Sequence, residues 1–292
     1  MNVFYLSMNP EVPASDYWNY TFLKDFIAGS VWKPDGFPEF NVKECATLDK
    51  SEQAIVAIPG EYQADYINQI NTELAKIKHV VLFIMSDEEG KFPVELINHP
   101  SIHIWVMAPV PGRHDEYNRM LTGYPPKLRQ IVKNLSPEKT KVLFFSGQVT
   151  HKRRTEMMKH LPENNPDYDI NRTSGFTKGF GHQEYYERTV KAKIVPNPAG
   201  AYSPDCFRLV EAFECMCVPI ADEKDAHGFI DGYWEWFFKE QLPFPLIKDW
   251  NNLPGYIEDV LNNWPDIMHQ QTAWWINYKR DFAYKVLEQL ND

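Results

Sequence analysis

Cysteine is scarce in this chain, with four thiols (Cys45, Cys206, Cys215 and Cys217) in 292 residues. That density is far below a disulfide scaffold and suits a reducing compartment. Cys215 and Cys217 have no second Cys/His pair at the spacing of a tetrahedral zinc site, so they read as buried thiols. Long apolar runs are missing as well. No stretch approaches the ~20 residues of a membrane span, and MNVFYLSMNPEVP has neither the basic start nor the apolar middle of a secretory signal. Neither an internal repeat nor a low-complexity tract is present. Basic charge is not in excess either: the formal net charge is -10 with a pI near 5.4, and residues 1–135 and 136–292 carry -5 each. This balance argues against a generally basic nucleic-acid or membrane surface. Together the absences point to a cytoplasmic protein with no membrane span.

Apolar material is ample: 43% of residues are hydrophobic and 14% aromatic, enough for one large domain or two ordinary ones. Short β-rich runs alternate with helical patterns, which predicts an α/β fold with parallel sheets. The expected strands are Val3–Leu6, Ala54–Ile58, His79–Met85 and Ile102–Met107, then Lys141–Phe145, Ala192–Val195 and Cys217–Ile220. Helices are expected over 62–77, 126–134, 152–160, 183–190, 204–214, 253–263 and about 265–290. The loop PVPGRHDEYNRMLTGYPP places a boundary near residue 135, dividing the chain into domains 1–135 and 136–292. The aromatic block 229–250 reads as packing surface.

Residues 139–193 depart from the acidic background, with 11 basic and 6 acidic side chains, so an anion is expected to dock there. Just beyond lies GAYSPDCFRLVEAFECMCVPI, residues 200–220. Ser203 before Pro204 predicts a helix start, serine capping and proline at the first position. A helix N-terminus attracts phosphate. Arg208 and Glu211, three residues apart, share a helical face. An arginine fork suits phosphate oxygens, and a carboxylate one turn deeper suits ribose hydroxyls. An ordinary surface ion pair explains the same spacing.

The stretch from Phe145 to Trp250 resembles the nucleotide-sugar-binding half of the exostosin-like glycosyltransferases. The resemblance runs through Phe145-Ser-Gly147, Arg153 and Arg154 opening the next helix, Tyr185, and Lys193-Ile-Val-Pro-Asn-Pro-Ala-Gly200. It continues through Ser203-Pro-Asp-Cys-Phe-Arg208-Leu-Val-Glu211-Ala212, Cys217-Val-Pro-Ile220, Leu242-Pro-Phe244 and Asp249-Trp250. Ala201-Tyr202 and Lys191-Ala-Lys193 depart from the family pattern. The resemblance implies a GT-B fold, two Rossmann-like domains facing across a cleft, with the C-terminal helix returning to the N-terminal domain. It also implies inverting transfer of a sugar from a nucleoside-diphosphate sugar, expected to be a UDP-sugar, to an acceptor hydroxyl. The family's membrane helix is missing, so a soluble bacterial or phage relative is expected.

Inverting transfer needs cations on the leaving diphosphate and a base for the acceptor hydroxyl. Gly147, Arg153, Arg154, Lys193, Ser203, Arg208 and Glu211 are the expected donor-binding residues, although His151-Lys-Arg-Arg154 also reads as a solvated helix face. No obligatory cofactor or metal is expected. Ligands of open α/β sheets lie beyond the carboxyl ends of the strands. Ser86-Asp-Glu-Glu-Gly90 follows such a strand, which makes Asp87 the first and Glu88 the second candidate base; a solvated acidic loop is the alternative. Asp16, His114 and Asp115 are further candidates. The acceptor is a glycan, a small molecule or modified DNA. Two other functions fit the sequence: a phage-type glycosyltransferase acting on hydroxymethylated DNA bases, and a nucleotide-sugar-binding module without catalysis.

Overall fold

The computed structural model describes residues 2–7, 41–60, 64–85, 87–125, 127–136, 138–175 and 178–292. Asp16 and Ser86 lie outside them. The chain divides into two compact units, Met1–Pro126 with Ile276–Asp292, and Lys127–Trp275.

The first unit is built on a six-stranded, all-parallel sheet: β1 (Asn2–Leu6), β2 (Asn41–Cys45), β3 (Ser51–Pro59), β4 (Ile77–Met85), β5 (Ile102–Met107) and β6 (Asn118–Met120), in the order β2-β1-β3-β4-β5-β6. β3 and β4 are buried from Ala54 and Val80 onward, as strands covered on both faces must be, and this is why they read as unbroken Val/Ile/Leu runs. Helix α1 (Ile67–Leu74) turns Ile70 and Leu74, four residues apart, into the core beside Val56, Ile58 and Leu82.

The second unit holds five parallel strands: β7 (Lys141–Gly147), β8 (Tyr168–Arg172), β9 (Ala192–Asn197), β10 (Val218–Asp222) and β11 (Leu246–Ile247), ordered β11-β10-β9-β7-β8. Its helices are α2 (Leu128–Val132), α3 (Lys152–Met158), α4 (His182–Thr189), α5 (Phe207–Glu214), α6 (Tyr233–Phe238) and α7 (Leu253–Asn262). From β7 the chain steps to β8 on one side, then returns to place β9 on the other. The strand order therefore reverses between the carboxyl ends of β7 and β9, which is where open α/β sheets leave a crevice.

The division differs from the expected boundary at 135 in two ways. It falls at 126/127, because α2 packs on α4 and α5 and so belongs to the second unit. The last helix, α8 (Asp266–Asn291), begins in the second unit, but its residues from Ile276 on belong to the first. There Phe282 meets Trp105 edge-on at 4.8 Å, and Trp105 Nε1 donates to Gln289 Oε1 at 2.8 Å. The aromatic block does pack: Trp234 and Trp250 are fully buried. Among the described residues no helix is long and apolar enough to cross a membrane.

Candidate functional site

The reversal point of the second sheet carries the densest convergence of the expected donor residues. β7 ends at Gly147, and a methyl group there would stand 2.8 Å from Arg208 Nη2 and 3.3 Å from the Phe145 ring. The bare backbone is what lets the Arg208 side chain lie across the strand end. Arg208, the second residue of α5, donates from Nη2 to the Ser146 carbonyl at 3.3 Å, and its guanidinium sits 5.1 Å above the Phe145 ring. Its Nη1 faces Cys206 Sγ at 3.8 Å, and its buried Nε has no hydrogen-bond partner.

Arg154 reaches the same place from α3. Its Nε and Nη2 donate to the Ala199 carbonyl at 3.2 and 3.0 Å, and Nη1 to the Gln148 carbonyl at 3.1 Å. Among the described residues neither Arg154 nor Arg208 has a carboxylate within the 4.0 Å of an ion pair; the neutral carbonyls of Ser146, Gln148 and Ala199 hold them instead. Burial first, and then the Arg208 charge, pull Arg154 down from the usual guanidinium range to about 10. Both guanidiniums are still cations at neutral pH, and they repel each other. His151 joins them: Nε2 lies 3.1 Å from the Ala199 carbonyl, so it carries the proton, while the buried Nδ1 has no partner. Burial, followed by the Arg154 charge, lowers the His151 pKa and keeps the ring neutral. An anion with two or more charges would relieve the repulsion and fill the unused donors.

Four other expected donor residues are used differently. Arg153 is buried and forks onto Asp222 at the end of β10, Nε lying 2.8 Å from each carboxylate oxygen and Nη2 bonding Oδ1 and the Lys248 carbonyl. It is a scaffold cation, not a free phosphate ligand. Lys193 lies near the start of β9, about 13 Å of strand from Asn197, with Nζ 5.7 Å from the Trp264 ring. It is at the wrong end of the sheet. Ser203 does not cap the helix: its hydroxyl accepts from Asp205 N at 3.1 Å, its carbonyl accepts from Gly200 N at 2.8 Å, and α5 starts at Phe207 behind an extended Cys206. The Ser-Pro-Asp residues form a buried turn closed by these two bonds. Glu211 is 6% exposed and accepts from Tyr185 Oη at 2.8 Å and Tyr186 Oη at 3.2 Å. Its carboxylate ties α5 to α4 and presents no open edge to a ribose.

Asp222 and His151 are the residues that sequence reasoning missed. Asp222 accepts from Arg153, Trp250 Nε1 and Ala199 N, and thereby holds the β9 loop against the end of β10. Its position at the carboxyl end of the buried strand Val218–Asp222 is a strand-end signal of the kind that singled out Asp87.

In the first unit the acidic loop after β4 is not a solvated one. Asp87 is 1% exposed; Oδ1 accepts from Lys91 N at 2.8 Å and Phe92 N at 3.0 Å, and Oδ2 lies 3.1 Å from His114 Nε2. His114 is fully buried and its Nδ1 accepts from Val110 N at 2.9 Å, so Nε2 carries the proton and donates to Asp87. Three of the roughly four acceptor sites of the first-choice base are turned into its own loops. Glu88 is half-buried in the same turn, and Asp115 accepts from Gly112 N at 2.9 Å in an exposed turn.

The fold defines the class: an α/β protein with two parallel Rossmann-like sheets flanked by helices. Compared with protein-family models and with curated proteins, the sequence matches none.

Proposed function

We propose that the second unit binds the diphosphate of a nucleoside-diphosphate sugar, and that the protein is an inverting glycosyltransferase of the exostosin-like, GT-B type. One observation carries the reading: Arg154 and Arg208 converge at the sheet's reversal point, held by backbone carbonyls and, for Arg208, by Tyr185, with no carboxylate at ion-pair distance from either among the described residues. Pairing two partly buried cations without a carboxylate costs free energy unless an anion completes the site. In the reaction, an acceptor hydroxyl gives its proton to a general base and its oxygen forms a bond to the anomeric carbon as the sugar–phosphate bond breaks. The two guanidiniums then hold the charge that accumulates on the departing diphosphate. Gly147 gives room for Arg208, and Asp222 fixes the Ala199 loop through which Arg154 is aimed.

A second reading, a nucleotide-sugar-binding module without transfer, draws on the burial of Asp87. Melting curves with UDP-, GDP-, ADP- and CMP-sugars, followed by assay of slow donor hydrolysis, test both readings. A shift of several degrees with one nucleotide class and measurable hydrolysis supports the transferase, because a ligand that binds only the folded state raises its stability. A shift with no hydrolysis favours the binding module, and no shift with any donor removes both.

A further inference from the structure

Beside the diphosphate site the second unit holds a cavity of about 380 Å³, lined by His151, Lys152, Arg153, Lys224 and His227, with Glu156 as the only carboxylate residue in its lining. It opens at the carboxyl end of β10, between the start of α3 and the loop 223–232. That loop is well built. Lys224 N donates to Asp222 Oδ1 at 3.3 Å, Ile230 N to Asp225 Oδ1 at 3.0 Å, and Trp234 Nε1 to the Asp222 carbonyl at 2.8 Å. Gly228 takes the left-handed conformation, φ +78°, that the turn requires. With its backbone pinned from beneath, the loop presents Lys224 and His227 to the cavity.

The lining carries three cationic side chains, Lys152, Arg153 and Lys224, against one carboxylate residue. Arg153 is neutralised by Asp222, but the other cations are loosely paired: Lys152 lies 3.7 Å from Glu156 and Lys224 3.9 Å from Asp231, with the lysine side chains 85% and 30% exposed. Pairs of that kind are worth little and yield to a better anion. A neutral hydroxyl needs acceptors as well as donors, whereas a carboxylate or phosphoryl group needs donors only. His151 connects the cavity to the first site, since it lines the cavity and shares the Ala199 carbonyl with Arg154.

We infer that this cavity is a second anion subsite, taking a carboxylate or phosphoryl group next to the diphosphate. The inference rests on the diphosphate reading of Arg154 and Arg208. It selects an acidic group, carried either by the donor's sugar or by a separate molecule.

Calorimetric titration of the wild type and of Lys224→Ala/His227→Ala tests it, with UDP, UDP-glucose, UDP-glucuronate, and inorganic phosphate added to UDP-saturated protein. If the acid is on the sugar, UDP-glucuronate binds about tenfold more tightly than UDP-glucose, as one charge-assisted contact allows. If it is on a separate molecule, phosphate binds the UDP-saturated protein as one further equivalent. In either case the double variant loses the effect while its affinity for UDP stays within about twofold. Equal affinity for the two sugars together with no phosphate binding overturns the inference, as does an effect that survives in the variant. Should UDP itself fail to bind, the diphosphate reading falls, and phosphate titrated into ligand-free wild type and variant still decides the cavity: loss of binding in the variant upholds the anion site, and equal or absent binding overturns it. Unchanged melting of the ligand-free variant checks folding, with Lys224→Gln as the milder substitution.

Discussion

Glu211 shows how one carboxylate can be placed by packing and not by a ligand. It is buried against the hydroxyls of Tyr185 and Tyr186. Burial raises its pKa, while the tyrosine bonds and the Arg208 charge pull the other way without cancelling it. A carboxyl whose folded pKa lies above its unfolded value is undisturbed below the unfolded pKa, near 4.5. It then costs stability progressively as pH rises toward the folded value, because the unfolded chain gives up the proton first. Glu211→Gln removes that cost, so the variant's stability relative to wild type should improve from pH 4.5 to pH 8 in urea titrations. A ligand role facing a ribose predicts instead a severe loss of nucleotide affinity in this variant; the buried geometry predicts a loss much smaller than that of Arg208→Ala. The Arg/Glu spacing was legible in the sequence, but the direction each side chain takes was not. Gly147 admits Arg208 to the strand end, and the two tyrosines of α4, 25 and 26 residues away in sequence, draw Glu211 inward.

At the scale of elements, the loops after β4 and β5 of the first unit behave as one stitched piece. Asp87 and His114 join them at their centre, and Arg113 adds bonds to the Gly90 and Phe92 carbonyls at 3.2 and 3.0 Å. Asp87→Asn turns an amide N–H toward the proton on His114 Nε2, or leaves a loop N–H without its acceptor. It should lower stability by about 1–3 kcal/mol, seen as a fall in the urea midpoint with unchanged slope. A variant as stable as wild type but devoid of transfer would restore Asp87 to the role of base. The strands that the sequence announced, β1, β3, β4, β5, β7, β9 and β10, are the buried ones with continuous apolar runs. β2, β6, β8 and β11 went unread because they are edge or short strands, and Asn118–Met120 and Tyr168–Arg172 are mainly polar. The start of α5 was placed three residues too early. Ser-Pro is a sound opening for a helix in isolation, yet here Ser203 closes a turn with Gly200 and Asp205 that the isolated pattern does not encode.

Across the whole molecule, both sheets follow one plan: the first strand in sequence is internal, the second flanks it on one side, and all later strands add on the other. The alternation of apolar runs and helical patterns made that α/β class readable. The domain boundary was less so, since the Pro/Gly-rich loop ending at residue 126 is followed by α2, whose partners α4 and α5 lie well downstream. The acidic total, -10, concealed the local cationic site, although the basic excess between 139 and 193 pointed to it. Of that excess the structure brings Arg154 to the reversal point, while Arg153 and Lys193 are held by Asp222 and Trp264. Arg154 and Arg208 together are proposed to form a diphosphate site. Calorimetric titration of UDP into the wild type, Arg154→Ala and Arg208→Ala tests it most directly. Saturable one-to-one binding is expected, weakening about 10- to 100-fold in each variant, the worth of one charge-assisted contact, with the ligand-free proteins still folded. UDP affinity unchanged in both variants, or no UDP binding to the wild type, would contradict it.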